Sequence, residues 1–217
     1  MFDTVAARRL MVDGQVRTAD VTDAALLDAM LIVPRERFMP TAMDALAYLD
    51  SDIQIAPGRA LLKPMVLAKL IQAARIAPDD RVLDVGCGTG YSTALLARLA
   101  AAVVALEEDA DLANKAKQAL AAVGAARTEV VVGPLIAGWP AGAPYDVILL
   151  NGAAEVLPDA LGRQLKPGGR LVGVCGRPPA AKGTINHMIE GHLVGRPIFD
   201  AAARLLPGFV SPPAFVF

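Results

Sequence analysis

Gly86, Gly88 and Gly90 stand at alternate positions in "RVLDVGCGTGYS", between an apolar run and a helical pattern. Glycine tolerates positive φ and lets a ligand approach the backbone, and the helix start that follows offers unpaired N–H groups. A loop of this kind suits close binding of a polar or anionic ligand. Its spacing is G-x-G-x-G. The dinucleotide fingerprint needs G-x-G-x-x-G, and Tyr91 stands at the third glycine position, which weakens a nicotinamide reading. Glu107 closes the next apolar run, "AVVALE", about 20 residues on, where a carboxylate can accept hydrogen bonds from both hydroxyls of a ribose. Loop and acid together point to an adenosine-containing ligand at the carboxyl edge of a sheet. The competing reading is an ordinary strand-to-helix turn beside a surface glutamate.

These residues need a sheet to position them. "RVLDVG", "AVVALEE", "RTEVVVG", "YDVILLNGA" and "GRLVGVCG" read as five strands. They alternate with helical patterns in "YSTALLARLA", "ADLANKAKQALAAVG" (stopped by Gly124) and "EVLPDALGRQLK". The alternation predicts an α/β fold, with a mostly parallel central sheet and helices on both faces. "GTINHMIEGHLVG" and "AFVF" are expected to add edge strands. Upstream, residues 1 to about 50 read as helical, with Thr22 as the cap of "TDAALLDAMLIV" and Pro34 as its end. "IAPGRALLKP" reads as a loop, and "KPMVLAKLIQAARI" as a helix with Pro64 in its first turn. The expected organisation is one domain over 1–217: a helical cap and loop (1–77), a ligand-binding core (78–176), and edge strands with a tail (177–217).

Composition narrows the classes. With 54% hydrophobic and 20% charged residues the chain is expected to pack as a globular protein rather than stay disordered. A net charge of −1 gives no strong electrostatic footprint for nucleic acid or anionic lipid, so neither is expected as a partner. Cys87 and Cys175 form no C-x-x-C pair, which predicts free thiols, no metal site and a reducing, cytoplasmic setting. Asp13 and Gly14 interrupt the N-terminus before any long apolar run, against a secretory signal. Arg98 breaks the most apolar stretch, against a membrane span. His187 and His192 lie outside the motifs and lack the HExxH spacing, so both are read as surface or structural histidines.

"VLDVGCGTGY", "VVALEED" and "LKPGGRLV" resemble the motifs of class I S-adenosylmethionine-dependent methyltransferases. The resemblance implies a Rossmann-like fold and S-adenosyl-L-methionine as cofactor, with S-adenosyl-L-homocysteine as product. It implies that Asp84 and the loop Gly86, Cys87, Gly88 and Gly90 line the methionine end. Glu107, with Glu108 beside it, would hold the ribose. Gly133, Pro134 and Leu135 would flank the adenine, and Asn151 would face the reaction centre. "MVDGQVRTADVTDAALLDAMLIVPRERFMP" and "AYLDSDIQI" resemble, more specifically, the protein-L-isoaspartate O-methyltransferase family. That implies methylation of the free α-carboxylate of an isoaspartyl residue in damaged protein. The ester would then cyclise to a succinimide, whose hydrolysis restores some normal aspartate.

Two departures bear on the acceptor and on the adenine. The family's loop reads approximately G-Q-T-I-S-Q-P, whereas this chain has Gly58-Arg59-Ala60-Leu61-Leu62-Lys63-Pro64. Both hydroxyls are gone, and a buried carboxylate facing Leu62 would lack a hydrogen bond that offsets its desolvation. Arg59 and Lys63 either recruit a carboxylate by charge or are solvated loop residues. The usual G-D-G after the third strand is Gly133-Pro134-Leu135, and Pro134 has no amide hydrogen, so apolar contact with Leu135 and Ile136 is expected instead. Trp139 is either an adenine stacker or a packed rim residue. The end, "LLPGFVSPPAFVF", lacks an R-F-V-P-L-like ending. Three readings stay open: isoaspartate methylation, methylation of another acceptor such as a small carboxylic acid or a different protein site, and a cofactor-binding module or protein-interaction partner without turnover.

Overall fold

The computed structural model describes residues 3–211, excepting the side chains at positions 41 and 42; the "AFVF" run expected as an edge strand lies outside them. The chain opens with α1 (Thr4–Met11), whose first turn is capped by the Asp3 carboxylate accepting from the Val5 and Ala6 N–H groups. A π-helical turn and a 3-10 turn then lead to α2 (Ala24–Ile32). The cap of α2 is Asp23, which accepts from Leu26 N–H, and not Thr22 as the sequence suggested. Thr22 is otherwise engaged, for its N–H and that of Asp23 both donate to Gln72 Oε1.

The "IAPGRALLKP" stretch is not an irregular loop. It folds as a small antiparallel hairpin, β1 (Ile53–Ala56) and β2 (Arg59–Leu61), turned at Gly58 with φ 71°. The strands are too short for a period-2 signal to stand out, and the Pro-Gly pair that reads as a loop is the hairpin turn. α3 (Pro64–Ala74) follows, with proline at its start where a missing N–H costs nothing.

The remaining elements build the sheet. They are β3 (Arg81–Val85), α4 (Tyr91–Leu99), β4 (Ala102–Glu107), α5 (Ala110–Ala122), β5 (Thr128–Val132), β6 (Tyr145–Ala154), α6 (Asp159–Gly162), β7 (Leu165–Cys175), β8 (Lys182–Ile189) and β9 (His192–Asp200). Strand order is β5-β4-β3-β6-β7-β8-β9; the first five strands run parallel, and β8 and β9 are antiparallel. The chain enters at β3, builds outward to β5, then returns to the other side of β3. That reversal at β3 is a topological switch point, and open α/β sheets bind ligands in the crevice outside the carboxyl ends of the strands at such a point.

Side chains alternate across the sheet. Val82, Ala105, Leu149 and Val172 share one apolar cluster with α2 to α5, while Leu83, Val104, Ile148 and Leu171 belong to the other. The second face is covered more thinly, by α6, single helical turns and the segment around Leu206 and Phe209. The helix expected over "EVLPDALGRQLK" shrinks to α6. Pro158 has no N–H to continue a helix, and Glu155 and Val156 donate their N–H groups to the Phe209 carbonyl instead.

Arg35, from the V-P-R stretch, joins the helical cap to the core. It is fully buried and donates Nε to Ala47 O (2.8 Å) and Nη2 to Leu62 O (2.9 Å). Its guanidinium carbon lies 4.7 Å from the centre of the Tyr91 ring, at the start of α4. Replacing Arg35 with Ala orphans two carbonyls and opens a cavity. Chemical denaturation of Arg35→Ala is expected to show a loss on the order of 3 kcal/mol; a loss below about 0.5 kcal/mol, the size of a neutral surface change, would contradict the role.

Candidate active site

β3 leaves the sheet through Gly86, Gly88 and Gly90, at φ 75°, 58° and 95°, and enters α4 directly. The glycines are needed for conformation and for space. A methyl group built on Gly88 would meet Ile55 Cδ1 at 2.6 Å. Cys87 is buried between them, and burial pushes its thiol well above the ordinary value, so it is no nucleophile at neutral pH.

Asp84 lies just before this loop, on the α4 side of the sheet, and is fully buried. Its carboxylate accepts from Ser92 Oγ and Thr93 Oγ1, both at 2.7 Å, and Asn151 Nδ2 is 3.5 Å away on the neighbouring β6. Asn151 also donates to Ser92 Oγ. These bonds fix the first turn of α4 against the ends of β3 and β6, and so fix the glycine loop between them. Burial pushes the Asp84 carboxyl up to about 6, against the pull of the two hydroxyls and Asn151.

Glu107 ends β4 and is 0% exposed. Three backbone N–H groups donate to it: Gly88 to Oε2 at 2.8 Å, and Glu108 and Asp109 to Oε1 at 3.0 and 3.2 Å. The remaining partner is Arg59. Its Nη2 donates to Oε2 at 2.7 Å, its Nη1 donates to Oε1, and Nη2 also donates to Gly86 O at 2.9 Å. The solvated-loop reading of Arg59 is therefore corrected. It is 5% exposed and is folded into the glycine loop. It is equally not a free cation awaiting an acceptor, because Glu107 already engages its fork.

Glu108 is exposed and contributes its N–H to Glu107. Gly133 donates its N–H to Glu107 O at 3.0 Å, and a methyl built on it would meet the Trp139 ring at 3.5 Å. Pro134 is exposed, whereas Leu135 is buried in the second core cluster. Leu62 is buried in the first cluster, so its side chain fills core and does not line an open acceptor surface. Lys63 is half-buried, and its N–H donates to Asp52 Oδ1. His187 and His192 are exposed on β8 and β9.

One residue at the site escaped the sequence reading. Leu206 is held against the glycine loop by two backbone bonds, Leu206 N–H to Ala153 O (2.9 Å) and Ala153 N–H to Arg204 O (2.8 Å). A methyl built on Gly86 would meet Leu206 Cδ2 at 3.0 Å and Arg59 Nη2 at 3.1 Å. The signal that could have found it is Arg204-Leu205-Leu206-Pro207, which keeps the arginine and proline of the R-F-V-P-L-like ending.

A parallel sheet entered at β3, a glycine loop into α4 and an acid closing β4 define a class I S-adenosylmethionine-dependent methyltransferase fold. A solved protein-L-isoaspartate O-methyltransferase structure superposes with a TM-score of 0.77 at 23% identity, covering 93% of this chain and 66% of that one. A Plasmodium falciparum structure titled as a protein-L-isoaspartate O-methyltransferase with S-adenosyl-L-homocysteine gives 0.76 at 19% identity, covering 95% of this chain and 99% of that one. The family is shown by sequence: the chain belongs to the protein-L-isoaspartate(D-aspartate) O-methyltransferase family, whose model matches residues 8–181. The relative of that name from Methylorubrum extorquens (strain PA1) is 44% identical over 176 residues, 81% of this chain and 77% of the relative. The one from Methylorubrum populi is 45% identical over 175 residues, 81% of this chain and 82% of the relative. Leu206 lies beyond the matched residues.

The Asp84 environment gives a pH signature. A buried acid whose pKa rises from 3.8 to about 6 binds its proton more tightly folded than unfolded. Stability is then lost as the pH rises from about 4 through about 6, on the order of 3 kcal/mol. Asp84→Asn removes that loss. In denaturation between pH 4 and 7, the variant is expected to gain on the parent as pH rises; a gap independent of pH would show that Asp84 is not held this way.

Proposed function

We propose that the chain methylates the free carboxylate of isoaspartyl residues in proteins or peptides, using S-adenosylmethionine, as part of protein repair. The observation that carries this reading is the family match over residues 8–181, which contain both the glycine loop and Glu107. When bound, S-adenosylmethionine supplies a methyl group activated by its sulfonium. The chain's own residues bind and orient. The Gly86–Gly88 backbone receives the methionine end, with Asp84 and Asn151 holding that loop in shape. Glu107 accepts from the ribose, Gly133, Pro134 and Leu135 flank the adenine, and Leu206 closes the crevice against water. The donor set fits the cofactor once Arg59 has left Glu107.

No general base is needed. An acceptor carboxylate with a pKa near ~4 is already ionised at neutral pH, so the protein's task is to place it in line and exclude water. In this reading residues 1–77, 78–176 and 177–217 act together as cap, cofactor core and covering edge. Both cysteines are free thiols, Cys87 buried and Cys175 half-buried. No helix among the described residues is long and apolar enough to cross a membrane. Lys63, at the start of α3, is the loop cation left to attract the acceptor.

A second reading, methylation of another carboxylate, is favoured by Ala60 and by the burial of Leu62, which leave the loop without hydroxyls. Labelled methyl transfer to an isoaspartyl peptide, with the matching aspartyl peptide as control, separates the two. Selective, volatile ester formation is expected. Absence of transfer alongside proven cofactor binding would favour the second reading. Lys63→Ala is expected to raise KM for the isoaspartyl peptide at least fivefold, about 1 kcal/mol, with little change in kcat; an unchanged KM would remove Lys63 from acceptor binding.

A further inference from the structure

We propose that Arg59 is a latch on the cofactor site: its guanidinium occupies the place of the ribose hydroxyls on Glu107, and the cofactor binds only as Arg59 leaves. This rests on the reading of the chain as an S-adenosylmethionine-dependent enzyme. The two oxygens of a carboxylate offer about four acceptor positions. Five N–H contacts already converge on those of Glu107, three from backbone and two from Arg59. A ribose diol has no position left to share. The three backbone donors belong to the glycine loop and to the turn after β4, so they stay whether or not a ligand is present. Arg59 is the partner that can be exchanged.

The arginine comes from the separate β1–β2 hairpin, which pairs with no strand of the main sheet. It also donates to Gly86 O, so the same side chain lies across the first glycine of the loop as well as the acid. Leaving would therefore clear two parts of the site at once. Only molecules with Arg59 displaced are competent to bind, and the apparent dissociation constant is raised by the reciprocal of their fraction.

The test is calorimetric titration of S-adenosyl-L-homocysteine into the parent, Arg59→Gln and Arg59→Lys, with the melting temperature of each ligand-free protein. Arg59→Gln is expected to bind at least tenfold more tightly while melting at a lower temperature without ligand. A merely structural arginine would weaken both. Arg59→Lys keeps a cation but loses the two-pronged donor, and its affinity is expected to fall between the other two. It carries the test alone if Arg59→Gln does not fold. Folded variants that bind no more tightly than the parent would overturn the latch and leave the functional reading standing. If neither the parent nor any variant binds, the latch and that reading fall together.

Discussion

A carboxylate taken fully out of water must be met by donors, or its burial is prohibitively costly. Glu107 is such a group, and much of the site is arranged around satisfying it. The turn of the glycine loop aims the Gly88 N–H at it, and the turn after β4 aims the N–H groups of Glu108 and Asp109. What these three leave open, Arg59 fills. An ion pair this deeply buried is held by geometry more than by net energy, because desolvation of both charges offsets much of their attraction. Removing one partner leaves the other stranded. A ligand that replaces Arg59 at Glu107 must therefore offer hydrogen bonds of its own, and a ribose diol does so.

Asp84 shows the same constraint resolved differently. It has no cation, only two hydroxyls and an amide, and its carboxyl is pushed up to about 6 by burial. It holds structure: β3, β6 and the start of α4 meet on it. The two acids sit at the ends of adjacent strands, one joined to the first turn of α4 and one to the glycine loop and Arg59. Leu206 and Ile55 close over that loop from opposite ends of the chain.

The sheet was legible because each strand is a short apolar run ended by glycine or by a polar turn, and these are local signals. So were the glycine loop and Glu107, whose separation along the chain reports adjacent parallel strands. The hairpin β1–β2 was not legible, because its strands have four and three residues and its turn is a Pro-Gly pair. The shortness of α6 was hidden for a related reason. The Phe209 carbonyl that captures the Glu155 and Val156 N–H groups comes from more than fifty residues downstream. Arg59 was recognised as a departure from the family pattern, but its partner was not, since Glu107 lies 48 positions away and neither residue signals the other. Local chemistry could be read from neighbours in sequence; the long-range pairing of charges could not.

Arg59 and a ribose compete for the same carboxylate of Glu107 if the cofactor binds as proposed. A crystal structure of the protein with S-adenosyl-L-homocysteine would test that most directly. Ribose hydroxyls are expected on the Glu107 carboxylate, with its three backbone donors unchanged and the Arg59 guanidinium turned away from both Glu107 and Gly86. A bound ligand with Arg59 still joined to Glu107 would contradict it.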